Sequence, residues 1–312
     1  MNRSQRSRWP AVGLLAGIAA MSALMGGQAL GQQPPPKVTA SSVFVMNADT
    51  GQVLYAKNEN KVFRSLSLTK LITARVLIDR MGDRLAETVT IAPAHLVRGS
   101  TAGLKRGDVW TLQDLLYGMV LMSGNDASLA IADRVGADML AQDGKRGDAR
   151  KRFVAEMGSA AAALGAESAR FADPYGLSPD NVSTARDIGL IAASVFTDPR
   201  LLPAWACTTR KVDVGGPKAR TVTLETTIEI LGEDGVIGGK TGTHVGKNIY
   251  NLVAAWRAPN GQTIVGAVLG STSNPNRYSD MRAVMAALPR DFPALAEPAT
   301  GAASARGTAR CQ

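Results

Sequence analysis

Three short strings contain the residue types that acyl-transfer chemistry requires. They are SLTK, with Ser67 and Lys70, SGN, with Ser123 and Asn125, and KTG, which begins at Lys240. A chain of this length is expected to contain a Ser-x-x-Lys about once by chance, whereas Lys-Thr-Gly is expected in only about one chain in ten. The functional prediction therefore rests on the conjunction of the three strings and not on any one of them.

The first string predicts a serine nucleophile with a lysine base. Residues 68–81 are apolar at helical spacing, so Ser67 is expected at the first turn of a helix, with Lys70 one turn further along the same face. A lysine accepts a proton near neutral pH only if its pKa falls, which burial and a neighbouring positive charge such as Lys240 both achieve. The helix start also places backbone N–H groups where an oxyanion forms during acyl transfer.

The remaining elements must bring the other two strings to this serine. Residues 41–58 predict a β-hairpin, and β-prone runs return from residue 207 onward, with KTG on a strand. The region between them predicts helices, including 112–122 and 185–196, which follow threonine caps, and SGN lies in the break before a helix that begins near residue 127. A final helix is predicted over 278–288.

This order of elements predicts an α+β fold. Strands at both ends of the chain, with helices between them, indicate one antiparallel sheet built from both termini, with flanking helices and an inserted helical subdomain. Residues 32–40 contain three consecutive prolines and predict a linker, residues 41–290 predict the catalytic domain, and residues 291–312, rich in alanine, proline and glycine, predict a flexible tail.

The first residues are typical of an export signal. Three arginines precede a short apolar run that is interrupted by glycines. The small residues Ala29 and Gly31 occupy the two positions that a signal peptidase recognises before its cleavage site. We therefore predict a signal peptide over residues 1–31 and an exported protein of the periplasm or cell envelope. No later run reaches the roughly 20 apolar residues of a bilayer span, so no stable membrane anchor is predicted after cleavage.

Charge and cysteine content narrow the class of protein further. The formal net charge is +9, and the basic residues are spread along the chain, which argues against a dedicated nucleic-acid-binding arm. A mild positive charge is compatible with binding to an anionic polymer of the cell envelope. Cys207 and Cys311 are the only cysteines, and their spacing matches neither a zinc site nor a redox pair. Both a single disulfide and two free thiols are compatible with the sequence, and we assign the cysteines no role in the chemistry.

Together the strings resemble those of penicillin-binding proteins, in particular the low-molecular-mass D-alanyl-D-alanine carboxypeptidases. The match runs from about residue 41 to residue 288, through DTGQVLYAKN, SLTK, LLYGMVLMSGNDAS, DPYGL, STARD, GGKTGT and YNLVAAW. The resemblance implies a serine β-lactamase/DD-peptidase-like fold that removes the terminal D-alanine from peptidoglycan stem peptides ending in D-Ala-D-Ala. It implies β-lactam antibiotics as covalent inhibitors, and neither a metal nor an organic cofactor.

The resemblance also implies a role for each site residue. Ser67 is the nucleophile, Lys70 its general base, and Ser123 the relay of a proton to the leaving D-alanine. Asn125 holds the substrate backbone, and the oxyanion hole uses the backbone N–H groups of Ser67 and Thr243. The residues expected to bind the substrate around its terminal carboxylate are Lys240, Thr241, Gly242, Thr243 and Arg277.

The sequence departs from the family pattern beside two of these strings. Leu66 stands where the family usually has alanine, and Tyr175 stands where a histidine often precedes Gly-Leu, so the rim of the pocket is expected to differ. His95 and His244 are expected to be structural or surface groups, and no Gly-x-Ser-x-Gly elbow supports a Ser-His-Asp hydrolase.

Each of these residues also has a purely structural interpretation. Ser67 could cap a helix, and Lys70 could be a solvated surface lysine. Ser123 and Asn125 could cap the following helix. Arg277 could form an ordinary ion pair. The fact that all of these residues occur together favours the catalytic interpretation.

Three other functions share parts of this sequence pattern with the carboxypeptidase. A DD-endopeptidase of the same family has identical chemistry, and the sequence does not separate the two. A non-catalytic penicillin-binding envelope protein is expected to lack Ser67, Lys70 or Lys240, all of which are present. A class A β-lactamase needs a deacylating glutamate, and the Glu-x-x-Leu-Asn string that supplies it does not occur in this sequence.

Overall fold

A computed structural model of the protein describes residues 35–288 and residue 311. The predicted signal peptide, and the predicted tail apart from residue 311, therefore lie outside the described residues. The strands are β1 (Ser42–Asn47), β2 (Val53–Lys57), β3 (Phe63–Arg64), β4 (Thr88–Thr90), β5 (Val109–Thr111), β6 (Val182–Ser183), β7 (Thr209–Val214), β8 (Arg220–Glu225), β9 (Val236–His244), β10 (Ile249–Arg257) and β11 (Thr263–Ser271). The helices are α1 (Lys70–Met81), α2 (Leu112–Leu121), α3 (Asn125–Gln142), α4 (Ala149–Ala163), α5 (Ala185–Phe196), α6 (Leu202–Trp205) and α7 (Asn274–Ala286).

The central sheet has five antiparallel strands in the order β2-β1-β11-β10-β9. Every residue of β1 is buried, because this strand lies between two others and has helices on both faces of the sheet. Its side chains alternate between the two cores: Phe44 and Met46 contact the helical side, and Val43 and Val45 contact the side covered by α7. The predicted α+β fold, with one sheet assembled from both ends of the chain, is confirmed.

Helix α1 lies at the centre of the helical part, in contact with α2, α3, α4 and α5. Ten of its residues are buried, and only Asp79 and Arg80, near its end, are exposed, so most of its polar side chains lie inside the protein. Buried polar groups require hydrogen-bond partners inside the protein. This requirement applies above all to Lys70, whose side chain is completely buried.

The helix starts follow their capping residues. Helix α2 begins after Thr111, whose hydroxyl accepts the backbone N–H of Asp114 at 3.0 Å, and α5 has the predicted bounds. The final helix begins at Asn274, four residues earlier than predicted, because the Ser273 hydroxyl accepts the N–H of Asn276 at 3.1 Å and a proline follows at the first turn. Arg277 therefore lies inside the first turn of α7, and the prediction that it precedes the helix is wrong.

A disulfide joins Cys207 to Cys311, with 5.8 Å between their Cα atoms. Cys207 is completely buried in the main core, between α6 and β7. Of the two possibilities that the sequence left open, the structure has the disulfide, and it attaches one residue of the predicted tail to the catalytic domain.

Reduction of this disulfide is expected to lower the free energy of unfolding by about 2–5 kcal/mol. The bond joins residues 104 positions apart, and such a cross-link restricts the unfolded chain. Urea unfolding with and without a reductant measures the effect, and penicillin acylation is expected to stay unchanged. Cys311→Ser is the control, because its stability should already be low and should not respond to the reductant. An equal response of this variant and the native chain would contradict the prediction.

Candidate active site

The nucleophile candidate lies in a 3-10 turn and not in the helix itself. This turn, Leu66–Thr69, leads directly into α1, which begins at Lys70. The Lys70 amine nitrogen lies 3.2 Å from the Ser67 hydroxyl oxygen. Leu66 has a φ of +50°, a left-handed conformation that is uncommon for residues other than glycine. The backbone is therefore strained immediately before Ser67, as often occurs at functional sites.

The Lys70 amine has three polar neighbours that suit a neutral amine. Its nitrogen lies 2.8 Å from Asn125 Oδ1 and 2.8 Å from the Tyr175 carbonyl oxygen, in addition to Ser67 Oγ. Asn125 Nδ2 donates to the Arg98 carbonyl at 2.9 Å, which orients Oδ1 toward Lys70. A neutral amine has two N–H groups and one lone pair. When the amine is neutral, its two N–H groups can donate to Asn125 Oδ1 and the Tyr175 carbonyl, and its lone pair can then accept the Ser67 hydroxyl proton.

The surroundings favour that neutral form. Burial lowers the pKa of Lys70 well below its ordinary value, and the positive charge of Lys240 lowers it further. The negative charges of Asp173 and Asp126 act in the opposite direction, but they contribute less. This direction is the one that a general base requires near neutral pH.

Ser123 and Lys240 form a second polar pair next to the first. Ser123 lies between α2 and α3 with a φ of +55°, and its hydroxyl accepts a hydrogen bond from the Lys240 amine at 2.9 Å. Lys240 is completely buried on β9, and burial together with the charge of Arg277 lowers its pKa to about 7. Because Lys240 donates to the Ser123 oxygen, the proton of Ser123 remains available to another acceptor.

Strand β9 runs directly beside the turn that carries Ser67. A Cβ at Gly242 would lie 3.1 Å from the Ser65 carbonyl oxygen and 3.3 Å from the Leu66 Cβ. The nearest neighbours of a side chain at Gly242 would therefore be residues of the nucleophile's own turn. Leu66 is itself buried there, so it shapes the turn and not the pocket rim as predicted.

The end of β9 carries the remaining predicted site residues. Thr241 is buried, and its carbonyl oxygen accepts a hydrogen bond from the Lys240 amine at 3.1 Å. Thr243 is exposed, and its hydroxyl oxygen accepts a hydrogen bond from Arg277 Nη1 at 2.7 Å. Burial lowers the pKa of Arg277. Within residues 35–288 no carboxylate pairs with Arg277, and its buried Nε has no hydrogen-bond partner. The structure thus brings the nine predicted site residues together where the turn before α1, the break between α2 and α3, strand β9 and the start of α7 meet.

The loop that supplies the Tyr175 carbonyl was not among the predicted parts of the site. The Asp173 carboxylate accepts the backbone N–H groups of Tyr175, at 2.9 Å, Gly176 and Ser178, and thereby holds the loop in place. An aspartate shortly before a glycine is a turn signal, and DPYGL contains it. The carbonyl and not the side chain of Tyr175 contacts Lys70, so the change from histidine leaves this contact intact.

The side chains that most often bind metal ions in proteins are those of His, Cys, Asp and Glu. The part of the chain that the structure describes contains no group of three or more His, Cys, Asp or Glu side chains that could hold a metal ion. His95 lies 3.5 Å from a carboxylate oxygen of Asp133, and its Nδ1 accepts the backbone N–H of Ala92 at 3.2 Å. His95 is thus engaged in structural contacts.

Comparison with known proteins identifies a matching family and relatives of similar sequence. The family described as D-alanyl-D-alanine carboxypeptidase matches residues 29–273. The D-alanyl-D-alanine carboxypeptidase of Streptomyces sp. (strain K15) is 33% identical over 86% of this chain and 96% of its own length. A D-alanyl-D-alanine endopeptidase of Pseudomonas aeruginosa is 32% identical over 64% of this chain and 63% of its own length.

A solved structure shows the same fold. The crystal structure of the Streptomyces K15 DD-transpeptidase matches with a TM-score of 0.74 and 32% identity, and the match covers 81% of this chain and 97% of that one. The strings identified in the sequence, the sheet built from both termini and the two buried lysines agree with these similarities. The chain belongs to the D-alanyl-D-alanine carboxypeptidase family of serine peptidases.

Proposed function

We propose that this protein removes the terminal D-alanine from peptidoglycan stem peptides through an acyl-enzyme on Ser67. The observation that carries the proposal is the completely buried amine of Lys70, which lies 3.2 Å from Ser67 Oγ and within 2.8 Å of two further acceptors, Asn125 Oδ1 and the Tyr175 carbonyl. A solvated lysine beside a helix cap would have neither the burial nor the two fixed acceptors.

In the acylation step, Ser67 Oγ attacks the carbonyl carbon of the penultimate D-alanine. The hydroxyl proton passes to Lys70, and the carbonyl oxygen becomes an oxyanion that the backbone N–H groups of Ser67 and Thr243 stabilise. The C–N bond to the terminal D-alanine then breaks. Ser123 donates a proton to the leaving nitrogen, and the proton that Lys70 took from Ser67 replaces it, so Lys70 is neutral again. Lys240, which donates a hydrogen bond to Ser123 Oγ at 2.9 Å, keeps its own proton.

Substrate binding uses the end of β9 and the start of α7. The terminal carboxylate is held by Lys240 and by the hydroxyls of Thr241 and Thr243, with Arg277 oriented by its contact to Thr243. Asn125 holds the substrate backbone while its Oδ1 faces Lys70. Water completes the reaction by hydrolysing the ester, with Lys70 as the base that activates it.

Penicillins are expected to acylate the same serine, and the resulting acyl-enzyme is expected to hydrolyse slowly. Their carboxylate matches the site for the terminal carboxylate, and the chain lacks the glutamate string that speeds deacylation in class A β-lactamases. A stable adduct on Ser67 is the consequence, and rapid, complete turnover of penicillin would contradict it.

The endopeptidase is a second candidate function, favoured by the 32% identity to the endopeptidase of Pseudomonas aeruginosa. The chemistry at Ser67 is the same, and the difference lies in the leaving group, which is then an amine of a second stem peptide. Cross-linked muropeptide dimers distinguish the two, because only the endopeptidase converts them to monomers.

The protein acts outside the cytoplasm according to the proposal. The pattern of residues 1–31 supports export, and the cell-wall substrate lies in the periplasm or envelope. Among the described helices, none is both long and apolar enough to cross a bilayer. Comparison of the N-terminal sequence of the secreted protein with that of the full chain tests cleavage after Gly31.

Intact-mass spectrometry with benzylpenicillin, followed by an assay of D-alanine release from a peptide ending in D-Ala-D-Ala, tests the proposal. We expect a stoichiometric adduct that is absent from Ser67→Ala, together with release of D-alanine. An adduct without release would favour the endopeptidase or a sensor. No adduct on the native chain would overturn the assignment of Ser67.

The rate of acylation by benzylpenicillin is expected to decrease at alkaline pH with a midpoint near 7, the pKa of Lys240. Above this pH, Lys240 loses the charge that attracts the carboxylate, whereas at acid pH protonation of Lys70 removes the base, so the profile is bell-shaped. Arg277→Leu should raise the alkaline midpoint by about one pH unit, because the charge of Arg277 helps to lower the pKa of Lys240.

The control for this pH profile is Arg282→Leu. Arg282 also lies on α7, but it is exposed and paired with Glu233, so its removal should leave the alkaline midpoint in place. An unchanged midpoint in Arg277→Leu, or an equal shift in both variants, would refute the assignment of this limb to Lys240.

A further inference from the structure

A groove of about 590 Å³ lies beside α4, away from the residues already assigned to the reaction. It is formed by the first turns of this helix and by residues 169–172. Three cationic side chains and one acidic side chain line it over two larger apolar groups, and the other lining residues are alanine or glycine. The larger lining residues are Arg150, Lys151, Arg170, Asp148, Val154 and Phe171.

Two of the positive charges in this groove are not compensated. Arg150 is paired with Asp133 through contacts of 3.0 and 2.9 Å. Lys151 and Arg170 have no ion pair with any residue that the structure describes, and Arg170 Nη1 donates only to backbone carbonyls. The Asp148 carboxylate accepts the backbone N–H of Lys151 at 3.0 Å as the cap of α4. A ligand carboxylate would find unpaired cationic donors here.

The turn before α4 extends the same positive field. Lys145 and Arg146 are exposed, and neither makes an ion pair within the described ranges. This local run of basic residues contradicts the expectation that the charge is spread along the chain. Such a cluster attracts anionic groups at a distance and binds them at short range.

The groove is connected directly to the catalytic loop. Residue Ala172 lines the groove, and the chain continues through Asp173 to Tyr175, whose carbonyl contacts Lys70. Three residues span at most about 11 Å. The side chain of Tyr175 also lies within the electrostatic influence of Arg150, whose charge opposes the rise in the Tyr175 pKa caused by burial. The groove wall at Ala172 and the carbonyl of Tyr175 that contacts Lys70 therefore belong to the same short loop.

We propose that this groove binds a carboxylate-bearing part of the peptidoglycan fragment, remote from the D-Ala-D-Ala bond that Ser67 attacks. The inference rests on the proposed function, because its ligand is another part of the same substrate. Five extended residues span about 17 Å, so a stem peptide held at Ser67 is long enough to reach around the loop. The cations bind the carboxylate, and Val154 and Phe171 contact the adjoining apolar groups.

The test compares two substrates in the double variant Lys151→Glu/Arg170→Glu. One is a purified disaccharide-pentapeptide, and the other is an N-acylated tripeptide whose only carboxylate is the terminal one. For the disaccharide-pentapeptide we expect kcat/KM to fall about tenfold through a higher KM, which corresponds to about 1.4 kcal/mol. For the tripeptide, and for acylation by benzylpenicillin, we expect no change.

Two control variants separate this effect from other causes. Lys37→Glu/Lys211→Glu changes the net charge equally at two exposed lysines outside the groove and should leave both substrates unaffected. Lys151→Arg/Arg170→Lys keeps both charges and should retain the native KM for the disaccharide-pentapeptide.

The possible outcomes each decide the inference. An unchanged KM for the disaccharide-pentapeptide overturns it, as does an equal loss on both substrates, which would indicate a distorted loop. Lost binding to vesicles of anionic phospholipid, with that KM unchanged, would assign the groove to a membrane surface and would also overturn it. The proposed function stands in all three cases, because it depends on the adduct and the D-alanine release of the native chain.

Discussion

Lys70→Arg is expected to slow the acylation of Ser67 by benzylpenicillin by about a thousandfold. The arginine keeps a positive charge and hydrogen-bond donors near Asn125 and Tyr175, but a guanidinium does not give up its proton in a protein. It therefore presents no lone pair to the Ser67 hydroxyl, and the serine is left without a base. The rate of adduct formation, followed by intact mass at fixed penicillin concentration, measures the loss.

Two further variants make the result interpretable. Lys57 also donates to a backbone carbonyl, that of Ala40 at 2.8 Å, so Lys57→Arg tests the same exchange outside the site and should acylate normally. Lys70→Gln removes the base without adding volume and should be as slow as Lys70→Arg if both remain folded by thermal unfolding. Near-native acylation by folded Lys70→Arg would remove the assignment of Lys70 as the base.

Gly176→Ala is expected to lower the free energy of unfolding by about 2–4 kcal/mol and to slow acylation at least tenfold. Gly176 has a φ of +96°, and a Cβ at this position would overlap the carbonyl group of Leu66. Relief of that overlap must move either the turn that carries Ser67 or the loop that places the Tyr175 carbonyl on Lys70. Urea unfolding and the acylation rate measure the two consequences separately.

Gly261→Ala is the matched control for this substitution. Gly261 has a similar φ of +84°, but a Cβ there would meet no atom within 4 Å. It should therefore show only the cost of the left-handed backbone, about 1–2 kcal/mol, and a native rate of acylation. If Gly176→Ala matched Gly261→Ala in both measurements, the close packing of the two loops would have no part in catalysis.

The chain also illustrates which features of an active site can be read from local patterns. Helices α2 and α5 began where threonine caps predicted them, because a cap acts within one turn of its own helix. The start of α7 was predicted four residues late, because the apolar periodicity begins inside the helix, while the cap at Ser273 lies before it. Arg277 was consequently placed outside the helix that positions it.

The amino-acid sequence was sufficient to predict the class of fold and the chemical groups of the site. The order of strand and helix patterns predicted a sheet made from both termini, and SLTK, SGN and KTG supplied the serines and lysines. These features depend on residue type and short spacing, which a sequence displays directly. Even the contact of Lys70 with Ser67, three positions apart, follows from local geometry.

The pKa values and hydrogen-bond partners of these groups depend instead on the three-dimensional packing of the chain. The Lys70 amine meets Asn125 and Tyr175 from positions 55 and 105 residues away, and Lys240 meets Ser123 across 117 residues. The lowered pKa values of both lysines arise first from burial, which no spacing of residues expresses. Burial and long-range contacts depend on how distant segments pack, and that packing converts a set of motifs into a nucleophile with a neutral base.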